Sequence, residues 1–329
     1  QEGAFSRSIR KAVNDNFTQL FGGVFWSGNR YYLNPVDGRD ANDGLSPATA
    51  LRTLSAAYAK CTAGQNDAVV LLSDGATTDT ARVDASFTWA KNATHLIGIS
   101  SGVNISNRSR IAPTSGVAAF TPYFTVTASG CLFQNIAWFM GFSAGMAAQI
   151  GMVVTGSRNL FLNCHIAGMA DVVSAEHADS RTLKIGSAGS GENQFVDCCI
   201  GVDTVTRSAA NASVELTGAT PRNQFINCVF PMMTDDAAAK FVLGTGNGCV
   251  DRFTIFRNCL FVNAVKSTST TATVGFSFST ASPGGMIVLD PLCLIIGATD
   301  WGDANFFSNA FVGMAAPSAG SGGIAVVPS

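Results

Sequence analysis

Between Phe133 and Ile296 the apolar and polar positions alternate in short runs, without helical periodicity, and one short pattern keeps returning. Phe133-Gln134-Asn135-Ile136-Ala137-Trp138 is the first copy, and Phe161-Leu162-Asn163-Cys164-His165-Ile166 is the second. Phe195-Val196-Asp197-Cys198-Cys199-Ile200, Phe225-Ile226-Asn227-Cys228-Val229-Phe230 and Phe256-Arg257-Asn258-Cys259-Leu260-Phe261 follow, with Val288-Leu289-Asp290-Pro291-Leu292-Cys293 as a weaker sixth. Aromatic and β-branched residues suit a pleated, half-buried surface. Asn and Asp tolerate the left-handed backbone of a tight corner. Each copy therefore predicts two short strands meeting at a polar corner.

A unit that returns about every thirty residues marks a solenoid. Strand-corner-strand coils predict an all-β chain wound as a right-handed parallel β-helix; a sandwich of evenly spaced strands is the alternative. In the β-helix, Asn135, Asn163, Asp197, Asn227 and Asn258 form a ladder whose side chains hydrogen-bond along the axis, with Asp290 continuing it. Cys164, Cys198, Cys228 and Cys259 stack inside as small apolar filler. Further strands are expected at 150–154, 182–185, 213–216 and 241–243, with the loops 167–181 and 201–211 projecting from one face. The β-helix itself is expected over 67–300.

The flanks read differently. Phe5, Ile9, Val13, Phe17 and Leu20 fall on one stripe at helical spacing, and Gly22-Gly23 ends it, so residues 1–23 predict an amphipathic arm. A lone helix of that length needs its stripe buried, on its own chain, on copies of itself or on a larger assembly. Residues 24–66 form a lead-in segment with a short helix near 51–61, and 301–329 form a Gly-, Ala- and Ser-rich tail or cap. Thr77 to Asp84 reads as a polar outer stretch. Leu96–Ile99, Val103–Ser106 and Arg108–Ile111 read as the first coils.

Composition narrows the function. Of 329 residues only 13% are charged, against 47% hydrophobic, so much of the surface is free to face a partner or a second copy. The net charge of −2 carries no basic run, which removes charge-driven nucleic-acid binding. No apolar run reaches the roughly eighteen residues of a membrane span, and Gln1 to Arg10 does not read as a secretory signal. Nine cysteines without such a signal are expected as reduced thiols, and Cys198-Cys199 is poor spacing for zinc. No cofactor is expected.

Two stretches carry a resemblance. Asn42-Asp43-Gly44-Leu45-Ser46-Pro47-Ala48-Thr49-Ala50 with Arg52-Thr53 resembles the start of pectate-lyase-like β-helix proteins, common among phage tailspikes and bacterial surface proteins. That resemblance implies that the following helix plugs the solenoid through Leu51, Leu54, Ala57 and Tyr58. Ala12-Val13-Asn14-Asp15-Asn16-Phe17, together with the Gly-x-Asn-x-Phe form at Gly191–Phe195 and the related Ala219–Cys228 segment, is similar to proteins encoded among tailed-phage virion genes. It implies a virion structural protein, a capsid decoration or head spike. The partners implied are copies of itself, as a homotrimer, and the major capsid protein or other virion proteins; the place implied is the virion, assembled in the bacterial cytoplasm. No catalytic residue carries over.

The alternative is a tailspike-type protein that binds or cleaves a host glycan. Cleavage calls for paired carboxylates in a groove. The richest cluster is Asp171, Glu176, His177 and Asp179, with Asp203 and Arg207 one coil on. A solvated loop shows the same density of charge, and Asp235-Asp236 reads as a solvated turn. His95 and His165 read as structural. The aromatic residues do not group as a sugar-binding groove would.

Overall fold

The computed structural model describes residues 27–73, 80–100, 102–186, 190–264, 270–308 and 310–312. The expected arm, with Phe5, Ile9, Val13, Phe17 and Leu20, lies outside them, as does the tail from residue 313. Among the described residues, three all-parallel sheets of ten, eight and eight strands run side by side along the chain. Each coil gives one strand to each sheet in turn, so the expected β-helix is the fold. The first sheet holds the ladder strands Leu132–Gln134, Leu160–Leu162, Gln194–Val196, Asn223–Ile226 and Arg252–Arg257. After the corner come Ala137–Phe139, His165–Ala167, Cys199–Ile200, Val229–Met232 and Leu260–Asn263 of the second sheet. Loops then lead to the third, through Ile150–Val154, Arg181–Gly186, Ala212–Thr217, Lys240–Thr245 and Ala272–Phe278.

The corner sets the register. Asn135, Asn163, Asp197, Asn227 and Asn258 all take left-handed backbone, with φ of 58, 51, 54, 54 and 49°. With the corners aligned, Phe133, Phe161, Phe195, Phe225 and Phe256 pair in exact sequence across neighbouring strands. Their rings stack at centroid distances of 4.7, 4.6, 4.8 and 4.7 Å. All five are fully buried, and each stacked pair adds about 0.5–1.5 kcal/mol beyond the area it removes from water. The thiols of Cys164, Cys198, Cys228 and Cys259 donate to the carbonyls of Phe133, Phe161, Phe195 and Phe225 at 3.4, 3.3, 3.2 and 3.4 Å. All nine cysteines are free and buried. Burial pushes the Cys198 and Cys228 thiols well above the ordinary range, which keeps them protonated.

The ladder side chains bond as expected, with one interruption. Asn163 Nδ2 donates to Asn135 Oδ1, Asn227 Nδ2 to Asp197 Oδ1 and Asn258 Nδ2 to Asn227 Oδ1, each at 3.0 Å. Asp290 accepts the Asn258 backbone N–H at 2.9 Å. Asp197 has no N–H to offer Asn163, so the column breaks there.

A second, fully internal column lies at the other end of the same strands. Asn159 Oδ1 accepts the Cys131 N–H at 2.9 Å, Asn193 Oδ1 the Asn159 N–H at 3.0 Å, and Asn223 Oδ1 the Asn193 N–H at 3.0 Å. The Nδ2 groups of Asn159 and Asn193 reach back to the carbonyls of Ala128 and Gly156 at 2.9 and 3.1 Å. These asparagines satisfy the backbone where the chain turns from the third sheet into the first.

The lead-in motif folds as a knot that seats the cap. Asp43 accepts the Leu45 N–H and the Thr49 hydroxyl at 3.0 and 2.6 Å, while Asp40 accepts the Arg52 and Thr53 N–H groups at 2.8 and 2.9 Å. Thr53 then caps the helix Leu54–Lys60, which starts later than expected because Leu51 bridges to Leu33 instead. Leu51, Leu54 and Ala57 close the core at 0–1% exposure. Tyr58 stays half-buried, its hydroxyl accepting the Ala90 and Lys91 N–H groups at 2.6 and 2.7 Å.

Three expectations change. Ala81–Val83, inside the stretch read as polar, is a strand of the second sheet with Ala81 and Val83 buried. Val103–Ser106 forms no strand; it is a loop with Val103 and Ile105 exposed. The parallel sheets begin at Arg30 and run to Val312, beyond 67–300 at both ends. No helix among the described residues is long and apolar enough to cross a membrane.

Replacing Asp197 by Asn is expected to complete the ladder and stabilise the protein by about 0.5–1.5 kcal/mol. Asn193→Ala, which strips buried N–H and C=O groups of their partner, is expected to cost about 2–4 kcal/mol. Chemical denaturation of both variants measures the two shifts.

Candidate functional site

Side chains on the outer face of the second sheet line up by register: Arg110, Ala137, His165, Cys199 and Val229 sit on consecutive strands. Phe139, two residues along from Ala137, lies beside this column. Loops on either side rise above it. One brings Ile105 and Ser106, and the other brings Val202, Asp203 and Thr204. Together they enclose a groove of about 260 Å³.

His165 holds both walls. Its Nδ1 accepts the Ser106 N–H at 3.0 Å, and its Nε2 lies 2.9 Å from the Gly201 carbonyl. The first bond needs a bare Nδ1, so the second is Nε2–H donating, and the ring is neutral. Both anchor points have special backbone: Ser106 has φ of 55° and Gly201 of 125°. A Cβ at Gly201 would lie 2.4 Å from the Pro231 carbonyl oxygen, so only glycine fits. His165 is 6% exposed, and burial pushes its pKa below the ordinary 6.5.

The opposite end is a cation on an aromatic ring. The Arg110 guanidinium sits 5.1 Å from the Phe139 ring centre. Phe139 passes beside Gly141, where a Cβ would lie 2.3 Å from its Cε1. Arg110 Nε has no protein partner, and burial, with Arg108 and Arg82 nearby, lowers its pKa from 12.5. Cys199 lines the groove as a protonated thiol, its pKa pushed up to about 12 by burial.

The carboxylates singled out from sequence separate. Asp203 stands in the groove wall. Asp171 instead caps the short helix Val172–Ala175, accepting the Ser174 N–H and hydroxyl, each at 2.9 Å. Glu176 ends that helix exposed. Asp179 is exposed, its N–H bonded to His177 Nδ1 at 3.2 Å. Asp171, Glu176 and Asp179 do not line the groove. Arg207 lies buried under the loops, and Asp236 closes a turn on the Ala238 N–H at 2.7 Å. No group of three or more His, Cys, Asp or Glu among the described residues is placed to hold a metal ion. Sequence reading missed Arg110 and Phe139, which lie on different coils. It took His165 as structural, and its bonds to the Ser106 N–H and the Gly201 carbonyl agree.

The pH dependence follows from the histidines. His95 is the counterpart of His165, its Nδ1 accepting the Leu132 N–H at 3.0 Å, and burial lowers its pKa too. A folded-state pKa below the unfolded one means that stability is complete above about pH 6.5 and falls as the pH drops toward the folded value. The melting temperature is expected to decline from about pH 7 to about pH 5, and His165→Gln to flatten part of that decline.

No protein-family model matches the chain, and no curated protein matches its sequence. Solved structures do match its fold. Pectin methylesterase PemA from Erwinia chrysanthemi is similar at a TM-score of 0.52 and 14% identity, over 82% of this chain and 80% of that one. A pectin methylesterase solved in complex with a hexasaccharide is similar at a TM-score of 0.50 and 15% identity, again over 82% and 80%. The chain thus has the pectate-lyase-like right-handed parallel β-helix fold.

Proposed function

We propose that this chain is a non-enzymatic polysaccharide-binding β-helix of a tailed-phage particle, and that the His165 groove is its glycan contact. The observation that carries the reading is the Arg110–Phe139 pair set in a groove walled by Ser106, Asp203 and Thr204. An apolar ring face receives the C–H face of a sugar, and the surrounding donors and acceptors bind its hydroxyls. Hydrolysis by paired carboxylates needs two acids across the bond, and among the described residues Asp203 is the one acid in the groove lining. His165 spends both ring nitrogens on the walls, so it is a positioning residue. The hexasaccharide held by one similar structure supports the use of this fold as a saccharide platform.

The virion part rests on the sequence. The apolar stripe of residues 1–23 would attach the protein to the capsid protein or another virion protein, and copies would assemble as a homotrimer with the solenoid outward.

Phe139→Ala is expected to weaken glycan binding about tenfold or more with the melting temperature little changed. Titration calorimetry on hits from a glycan array measures it. Absence of binding to any glycan overturns the groove reading, and cleavage of a bound glycan overturns its non-enzymatic part. Deleting residues 1–23 is expected to leave a folded solenoid missing from purified particles, and its retention there would overturn the arm's role.

A further inference from the structure

Arg207 is buried at 1% exposure with weak company. Its Nη2 donates to Ser213 Oγ at 2.9 Å and its Nη1 reaches Met232 Sδ at 3.8 Å, while Nε has no partner. A thioether is a poor acceptor, and a guanidinium keeps its charge in a protein. Burial lowers the Arg207 pKa only to about 9, with Arg181 adding repulsion, so the group is a cation at neutral pH.

Among the described residues no carboxylate forms an ion pair with it. Glu215, on the same strand as Ser213, gives Oε2 to Arg181 Nε at 2.9 Å and Oε1 to Lys184 Nζ at 3.4 Å. Glu215 is thus already shared by Arg181 and Lys184. Beside Ser213 on the neighbouring strand is Thr182, also fully buried, and its hydroxyl has no partner. The loops close over these groups. Asn211 Nδ2 donates to the Ala175 carbonyl at 2.8 Å, linking one loop to the next, and a Cβ at Gly168 would lie 2.6 Å from Thr182 Cα.

We infer that this buried cluster binds a small inorganic anion of halide size, held by the Arg207 guanidinium with the hydroxyls of Thr182 and Ser213, beneath the loops 168–180 and 201–211. A water molecule would satisfy Nε yet leave the charge, and a lone buried cation is strongly unfavourable. The unpartnered groups at Arg207 and Thr182 are an N–H and an O–H, which favour an anion, while Asn211 Oδ1 in the loop above is an unpartnered acceptor. Gly201 comes within 3.4 Å of Arg207 Nη2 by its Cβ direction, and the crowding at Gly168 and Gly201 favours a monatomic ion. Neither Arg207 nor Thr182 lines the groove, so this site stands apart from the glycan reading.

The test is the melting temperature of the full chain as methanesulfonate is exchanged for bromide at constant ionic strength. The wild type is expected to gain roughly 2 °C for each tenfold rise in bromide above its dissociation constant. Arg207→Met is expected to lose that dependence. Should that variant fail to fold, Thr182→Val keeps the cation and drops one donor, and it is expected to need more bromide for the same gain. A bromide-soaked crystal of the wild type is expected to show an anomalous peak beside Arg207. A wild-type melting temperature indifferent to the exchange overturns the site, as do peaks confined to the surface, the mark of an adventitious ion only.

Discussion

The structure depends on the left-handed residue at each ladder corner from Asn135 to Asn258. A corner at φ near 55° between two short strands is tight enough to admit no slippage, and its repetition puts every ladder Phe directly over the previous one. A slip by one residue would turn the Phe column outward and bring polar neighbours inward. The Asn side chains add their own bonds along the axis, and the internal Asn159–Asn193–Asn223 column pins the other end of the same strands. Strand ends fixed at both corners leave the core packing little freedom.

That rigidity is what makes the outer face usable. Each strand of the second sheet, two to four residues long, offers only one or two outward positions, so a groove must be assembled from several coils. Arg110, Phe139 and His165 come from separate strands and meet because the register is exact. His165 then converts a flat sheet face into a walled site by bonding a loop on each side. The same residue fills a lattice position and shapes the site, which is why burial and hydrogen bonding, rather than exposure, identify it.

The polar groups inside follow a different logic. The buried asparagines are paired with backbone groups and so cost little to bury. At Arg207, by contrast, a buried cation forms no ion pair among the described residues, and its Nε and the Thr182 hydroxyl lack partners. Loops stacked over the third sheet exclude water there, so the charge is held in a region of weak screening.

Periodic features were legible in the chain. The recurrence of Phe, Asn and Cys determined the β-helix, its corners, its stacked cysteines and the ladder, because each needs only a local preference repeated at one spacing. The cap through Leu51, Leu54 and Ala57 was implied by the resemblance that the Asn-Asp-Gly stretch carries. The internal asparagine column was also written there, as Asn159, Asn193 and Asn223 each two residues before a ladder Phe, but it looked like a family signature rather than a hydrogen-bonded column. The groove was not legible, since Arg110, Phe139, His165 and Asp203 share no spacing. The acidic loop from Asp171 to Asp179 drew attention by charge density, and folding turned Asp171 into a helix cap. Tertiary structure alone decided which loops stand next to each other, because loop lengths vary from coil to coil while the strands beneath them do not. It alone also decided that Arg207 is buried without a carboxylate, since charge balance depends on neighbours distant in sequence.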